Sequence, residues 1–222
     1  MLVNFREIRT TKIIQKLLID LLDELFPNPK VPLDHESPYT LLIATLLSAQ
    51  CTDKKVNEVT PKLFSIAKTP SEMVKLSIEE IFLLIKPCGL GNIKSKAIWN
   101  LSKELLDKHG GVVPVSFNLL EALPCVGHKT ASCVMAHSFN IPVFPVDTHI
   151  HRIAHRWGLS SGKSVIQTET DLKAFFPNER WNLLHLQMIY YARTYCPAKG
   201  HLIENCPICK LLSAIKKELK TL

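Results

Sequence analysis

Apolar residues recur at three- and four-residue intervals through most of this chain, and that period commits it to helices rather than to sheet. Ile13, Ile14, Leu17, Leu18, Leu21, Leu22 and Leu25 fall on one face of a first helix. Start signals agree with the period. Thr69 and Glu72 bracket Pro70 as a capping box, Ser77 and Glu80 form another, and Ser37 precedes Pro38 at a first helical position. Gly110 and Gly111 end a long helix that begins near Asn92. Strand-like runs occur at residues 112–115 and 143–146, and each is interrupted by proline, which cannot donate to a ladder. The predicted fold class is all-α. No repeat, low-complexity tract or flexible linker divides the chain, so a division into domains rests on how the helices cluster.

At 222 residues and 46% hydrophobic content the chain can bury a substantial core, as one large domain or two small ones. Lys and Arg number 27 against 20 Asp and Glu, a formal charge of +7 that suits a polyanionic partner. Arg6, Glu7 and Arg9 stand where a secretory signal would need an apolar stretch, and the longest apolar run, near Leu41 to Ala49, is too short to span a bilayer. The expected location is cytoplasmic, with no membrane contact. Seven cysteines in a reducing compartment point to metal binding or ordinary burial before disulfides, and an odd count leaves at least one unpaired.

Two segments carry the chemistry. In Leu123-Pro124-Cys125-Val126-Gly127-His128-Lys129-Thr130-Ala131, a tight turn leads into a helix beginning near Lys129. Backbone N–H groups at such a turn and at the following helix start converge on a phosphate, and glycine lets the sugar-phosphate chain approach. A proline-stiffened stretch, Asn140 to Val146, then delivers Asp147 to the start of another helix. Asp147 is a good N-cap, and a capping carboxylate is also one whose direction is fixed for other work.

LPCVGHKTA followed by PVDTHIHR resembles the helix-hairpin-helix and Gly/Pro-rich-loop-with-Asp signature of base-excision DNA glycosylases. SPYTLLIATLLSAQCTD, IKPCGLGNIKSKA and HGGVVP resemble the endonuclease III branch of that family in order and spacing, so the likeness covers nearly the whole chain. The resemblance implies a bilobal fold: a six-helix barrel over residues 31–141, and a second helical lobe from residues 1–30 with 142–222. The active site would lie in the cleft between them. It also implies a monomeric enzyme of the nucleoid acting on damaged double-stranded DNA, bent and with the damaged nucleotide flipped out.

By the same resemblance Lys129 is the nucleophile and Asp147 its acidic partner in removing oxidised pyrimidines. Relatives that use water as nucleophile usually lack the lysine and carry glutamate in the segment that here reads Ser48-Ala49-Gln50. Lys129 attacks the sugar C1′, the base leaves, a Schiff base forms, and β-elimination cuts the strand; none of these steps calls for a metal. A lysine of pKa about 10.4 is neutral in only about one molecule in 2,500 at pH 7, so the amine needs a depression of roughly 3 units. A helix dipole supplies at most about 2 kcal/mol, and desolvation must supply the rest. A binding module that had lost its activity is the alternative, and retention of both Lys129 and Asp147 argues against it.

The resemblance assigns Gln50 and Leu90 to the positions that insert into the opened duplex, and Pro124, Cys125, Val126, Gly127 and Thr130 to the hairpin against the DNA backbone. Lys94 and Lys96 are placed to contact phosphate. The hairpin departs from the family's usual pattern at Cys125, commonly glycine, and at His128, commonly arginine, departures that reshape the first phosphate contact. A larger departure lies in the last segment, where many relatives hold a four-iron cluster in a C-x6-C-x2-C-x5-C array. Here Cys196, Cys206 and Cys209 form C-x9-C-x2-C, and neither register supplies a fourth cysteine. Three outcomes stay open at this point: no cofactor and a decayed site, zinc held with His201 as the fourth ligand, or a cluster with a non-cysteine ligand. The expectation is an enzyme active without a conventional four-cysteine cluster.

Overall fold

The structure, a computed structural model, describes residues 5–220, with side chains from 11 to 218. Residues 1–4 and 221–222, and the side chains of Arg6, Glu7 and Arg9 on which the signal-sequence reading rests, lie outside the described residues. The helices are α1 (Phe5–Leu25), α2 (Pro38–Leu47), α3 (Asp53–Ile66), α4 (Pro70–Met73), α5 (Ile78–Ile85), α6 (Gly91–His109), α7 (Phe117–Glu121), α8 (His128–Phe139), α9 (Thr148–Trp157), α10 (Val165–Phe175), α11 (Trp181–Thr194) and α12 (Pro207–Lys220). Three short 3-10 turns complete the secondary structure, and no strand occurs among the described residues. Both valine-rich runs are extended loop: their prolines break the period, and no partner strand pairs with them. None of these helices is long and apolar enough to cross a membrane.

The chain clusters into two compact units, Val31–Ile141 and the pair Met1–Lys30 with Pro142–Leu222. In the first, α2 is the central element. It starts on Ser37, whose side chain accepts from the Thr40 N–H, and every residue from Tyr39 to Leu47 is buried. A helix apolar all round is a core helix, and α2 packs on α8, which is itself buried from Ala131 to Ala136. The Tyr39 hydroxyl donates to Ser102 Oγ at 2.6 Å, and Ser102 donates on to Ile98 O, tying α2 to α6. The boxes at Thr69 with Glu72 and Ser77 with Glu80 form as read, and Gly110 ends α6 in the left-handed region.

The second unit is built round α9 and α11, with α1 on α11 and α10 on α9. Its core gathers Leu18 and Leu22 from α1 with Phe144, Ile150, Trp157, Leu172, Met188 and Tyr191. The seven apolar residues of α1 do not all face inward, because they spread over roughly half the helix circumference at 100° per residue. Leu18 and Leu22 are fully buried, whereas Ile13 and Leu17, at one edge of that arc, are 52% and 37% exposed.

Leu22→Ala should therefore lower unfolding free energy by about 2–5 kcal/mol, and Ile13→Ala by less than about 1 kcal/mol. Urea unfolding of the two variants measures the difference; equal losses would contradict this placement of α1.

Candidate active site

The segment from Pro124 to Gly127 folds as a tight turn between α7 and α8, closed by the Val126 N–H donating to Leu123 O at 3.1 Å. Val126 is buried and anchors the turn from below, while Cys125 and Gly127 are exposed and Pro124 and Thr130 half-buried. Cys125 has φ +57°, so the backbone takes the left-handed conformation in which glycine is at ease even though a side chain is present. The turn keeps its glycine-type path, and the departure from the usual residue appears as local strain. Gly127 is the N-cap of α8 and no side chain caps it. An uncapped start presents first-turn N–H groups toward whatever anion approaches.

Lys129 is the second residue of α8 and half-buried. His128, where arginine is the common residue, is held locally: its ring lies 2.7 Å from Glu121 Oε1 and stacks on Phe117. It braces α7 against α8. Two turns along α8, burial, with the positive charge of His35 and of Lys129 adding to it, pushes His137 down to about 4. At neutral pH its imidazole therefore sets no second cation against Lys129.

Asp147 belongs to the other unit and caps α9, its Oδ1 accepting the Ile150 N–H at 2.8 Å. The loop that delivers it is pinned from α11 by two residues that the sequence reading missed. Asn182 Oδ1 accepts the Val143 N–H at 3.1 Å, and the buried His185 ring donates from Nδ1 to Pro145 O at 2.8 Å. Phe144 between them is fully buried and stacks on Phe176. The proline-rich stretch is thus rigid on both sides of its buried aromatic, and the carboxylate at its end is fixed in direction.

Gln50 and Leu90 both sit in the left-handed region, at φ +54° and +52°. Gln50 is exposed just beyond α2, and Leu90, 47% exposed, is the residue before α6. Gly89 precedes it at φ +68°, and a Cβ on Gly91 would meet the Phe82 ring at 2.9 Å, so the two glycines flanking Leu90 are required by conformation and by space.

Lys94 corrects the sequence reading. Placed there as a phosphate contact, it is 3% exposed, and its Nζ donates to Leu47 O and Ala49 O at 2.8 Å and to Cys88 O at 3.0 Å. An ammonium has three N–H donors, and all three are used. Burial lowers its pKa. Its work is to clamp the end of α2 at Leu47, and Ala49 just before Gln50, to the 3-10 turn (Lys86–Cys88) that ends two residues before Leu90. The Cys51 and Cys88 thiols hydrogen-bond beside it, and burial raises Cys88 to about 11, an unreactive neutral thiol. The signal was in the sequence: Lys94 is in phase with Ala97, Ile98, Leu101 and Leu105, the buried stripe of α6. Lys96, half a turn away, is exposed and keeps its place as a phosphate-contact candidate.

Residues 43–178 match the family described as HhH-GPD superfamily base excision DNA repair protein. The chain belongs to that superfamily. It is 38% identical over 194 residues to Endonuclease III of Bacillus subtilis (strain 168), covering 87% of this chain and 89% of the relative. It is 40% identical over 191 residues to Endonuclease III of Escherichia coli (strain K12), covering 86% and 90%. Among solved structures, a non-covalent Endonuclease III-DNA complex matches with a TM-score of 0.85 at 35% identity, over 99% of this chain and 100% of that one. A trapped Endonuclease III-DNA covalent intermediate matches at the same TM-score and identity, over 98% and 100%. A thermostable thymine-DNA glycosylase, 22% identical with a TM-score of 0.81, shares the fold. The resemblance to endonuclease III read from the motifs is borne out by these relatives.

Lys94→Met keeps the stem and deletes the ammonium, leaving the Leu47, Ala49 and Cys88 carbonyls, two of them in buried bonds, without their donor. It should cost about 3 kcal/mol or more in urea unfolding, against less than about 0.5 kcal/mol for Lys96→Met. A Lys94→Met protein as stable as its parent would contradict the clamp.

Proposed function

We infer that the protein is a base-excision-repair DNA glycosylase and abasic-site lyase that works through a Schiff base, with oxidised pyrimidines in duplex DNA as its substrates. The observation that carries this reading is a lysine in the uncapped first turn of α8, directly after a turn whose backbone is held in the conformation for close approach of a phosphate chain.

In this reading the turn formed by Pro124, Cys125, Val126 and Gly127, with Thr130 behind it, grips the DNA backbone through N–H groups. Gln50 and Leu90 project into the duplex from their strained positions and fill the space vacated by the flipped nucleotide. Lys129, as the neutral amine, attacks C1′ of that nucleotide and the damaged base departs with its bonding electrons. Asp147 takes the proton lost by the amine and offsets the positive charge that develops on the sugar. The sugar ring then opens, O4′ leaving C1′ and taking up a proton as the nitrogen lone pair forms the C=N bond; the resulting iminium acidifies C2′, loss of a C2′ proton expels the 3′ phosphate by β-elimination, and hydrolysis of the imine returns the amine. We read the enzyme as a monomer of the cytoplasm, acting on the nucleoid, where its net charge of +7 draws it to DNA.

Single-turnover nicking of a duplex with one abasic site separates the roles. Lys129→Gln should cut at the uncatalysed rate. Asp147→Asn should remain folded, because asparagine caps a helix as well as aspartate does, bind the damaged duplex normally, and cut about 10²–10⁴-fold more slowly. Nicking by Lys129→Gln at the parent rate would refute the lyase assignment; an Asp147→Asn protein of full activity would leave Asp147 its cap alone.

A further inference from the structure

The last cysteines do not form the site that the family's usual cluster needs. A conventional four-iron cluster takes one thiolate on each iron. Here Cys196, Cys206 and Cys209 are joined by His201, and among the described residues they form a group whose ligand atoms all lie within 4.8 Å of one another. The chain's other cysteines, Cys51, Cys88, Cys125 and Cys133, all belong to the 31–141 unit. Spacing separately favours one ion over the cube. Cluster thiolates stand round the outside of a block of iron and sulfide, one per corner, a full cluster diameter apart. Donors around one ion stand closer: bonds of about 2.3 Å to sulfur and 2.0–2.1 Å to nitrogen at the tetrahedral angle put them roughly 3.5–3.8 Å apart.

We propose that Cys196, His201, Cys206 and Cys209 bind a single zinc ion in place of an iron–sulfur cluster. Three thiolates and one imidazole are a known tetrahedral zinc set, and the C-x2-C pair at the start of α12 is the usual chelating turn. Cys196 and Cys206 are buried. The His201 side chain stands against the Cys206 sulfur with its Nε2 buried, as a member of one ligand group would. Groups around the sulfurs support the ligands. Arg156 Nη1 donates to Cys196 Sγ at 3.1 Å and to Pro197 O at 3.1 Å, placing a positive charge against the net negative charge of three thiolates and one Zn²⁺. The Tyr191 hydroxyl accepts the Ile208 N–H at 2.8 Å and so turns its own proton toward Cys206 Sγ at 3.2 Å. Arg152 holds the Ala192 and Cys196 carbonyls, fixing the end of α11 from which the first ligand projects. With four protein ligands the shell is closed, so the ion is structural and fastens the loop of residues 197–205 to α11 and α12.

The full chain, produced with iron and zinc both supplied and purified without oxygen, should carry about one zinc per molecule, with iron and sulfide far below stoichiometry and no visible iron–sulfur absorption. Apo protein titrated with Co²⁺ should develop the absorption of a tetrahedral thiolate site. His201→Ala should bind Co²⁺ at least about tenfold more weakly, and His201→Cys should keep stoichiometric zinc. Should His201→Ala fail to fold, chelation of the parent is read instead: loss of zinc should lower its melting temperature, and zinc should restore it. Iron and sulfide near four each would overturn the proposal, as would an apo protein that takes up neither Zn²⁺ nor Co²⁺. No readout depends on nicking activity, so the lyase assignment stands or falls separately.

Discussion

Three backbone carbonyls converging on the Lys94 ammonium hold the 31–141 unit in its working shape. Taking a lysine out of water costs several kcal/mol unless every donor is matched, and here each N–H has one carbonyl from Leu47, Ala49 or Cys88. The bargain is local but its consequences spread. It fixes the end of the central helix α2, the turn before α6, and α6 itself, which carries the lysine. Gln50 and Leu90 stand at the rims of those two elements, so a single buried cation sets the spacing between the side chains proposed to enter the duplex.

Strain is stored at the same rims. Of the non-glycine residues with positive φ among the described residues, Gln50, Leu90 and Cys125 are three and Asn140, the C-cap of α8, is the other. Each such residue costs about 1–2 kcal/mol relative to ordinary backbone, and persists only where surrounding structure imposes it. At Leu90 the constraints are the Lys94 clamp on one side and the close approach of Gly91 to Phe82 on the other. Asn140 has the usual reason for a helix end; the other three stand at exposed turns, where such a conformation aims backbone and side chain outward. That coincidence with the proposed DNA contacts gives the three positions a common physical rationale.

Much of this was legible in the sequence, and what was not has definite causes. The period of the apolar residues and the Ser37, Thr69 and Ser77 caps gave the helices, because both signals act within a few residues of where they are read. The arc of α1 was read too wide, since periodicity alone cannot locate the centre of a buried stripe, and Ile13 and Leu17 lie at its edge. Position beside Leu90 makes Lys94 a phosphate contact, against its phase on α6; the three carbonyls it satisfies come from 6 to 47 residues away. Asn182 and His185 were invisible for the same reason, as they act on a loop some 40 residues earlier. The spacing of Cys196, Cys206 and Cys209 showed that a fourth cysteine was missing, but whether His201 could replace it depends on how the intervening loop folds back, and only the coordinates give that.

The claim on which the account turns is that the amine of Lys129 makes the covalent bond to DNA. Reducing the reaction with an abasic-site duplex by borohydride, digesting protein and DNA, and sequencing the modified peptide by mass spectrometry reads that bond directly. The account predicts one pentose-derived adduct per chain on Nζ of Lys129; an adduct on Lys96, on the N-terminal amine, or on any other nitrogen with Lys129 unmodified would contradict it.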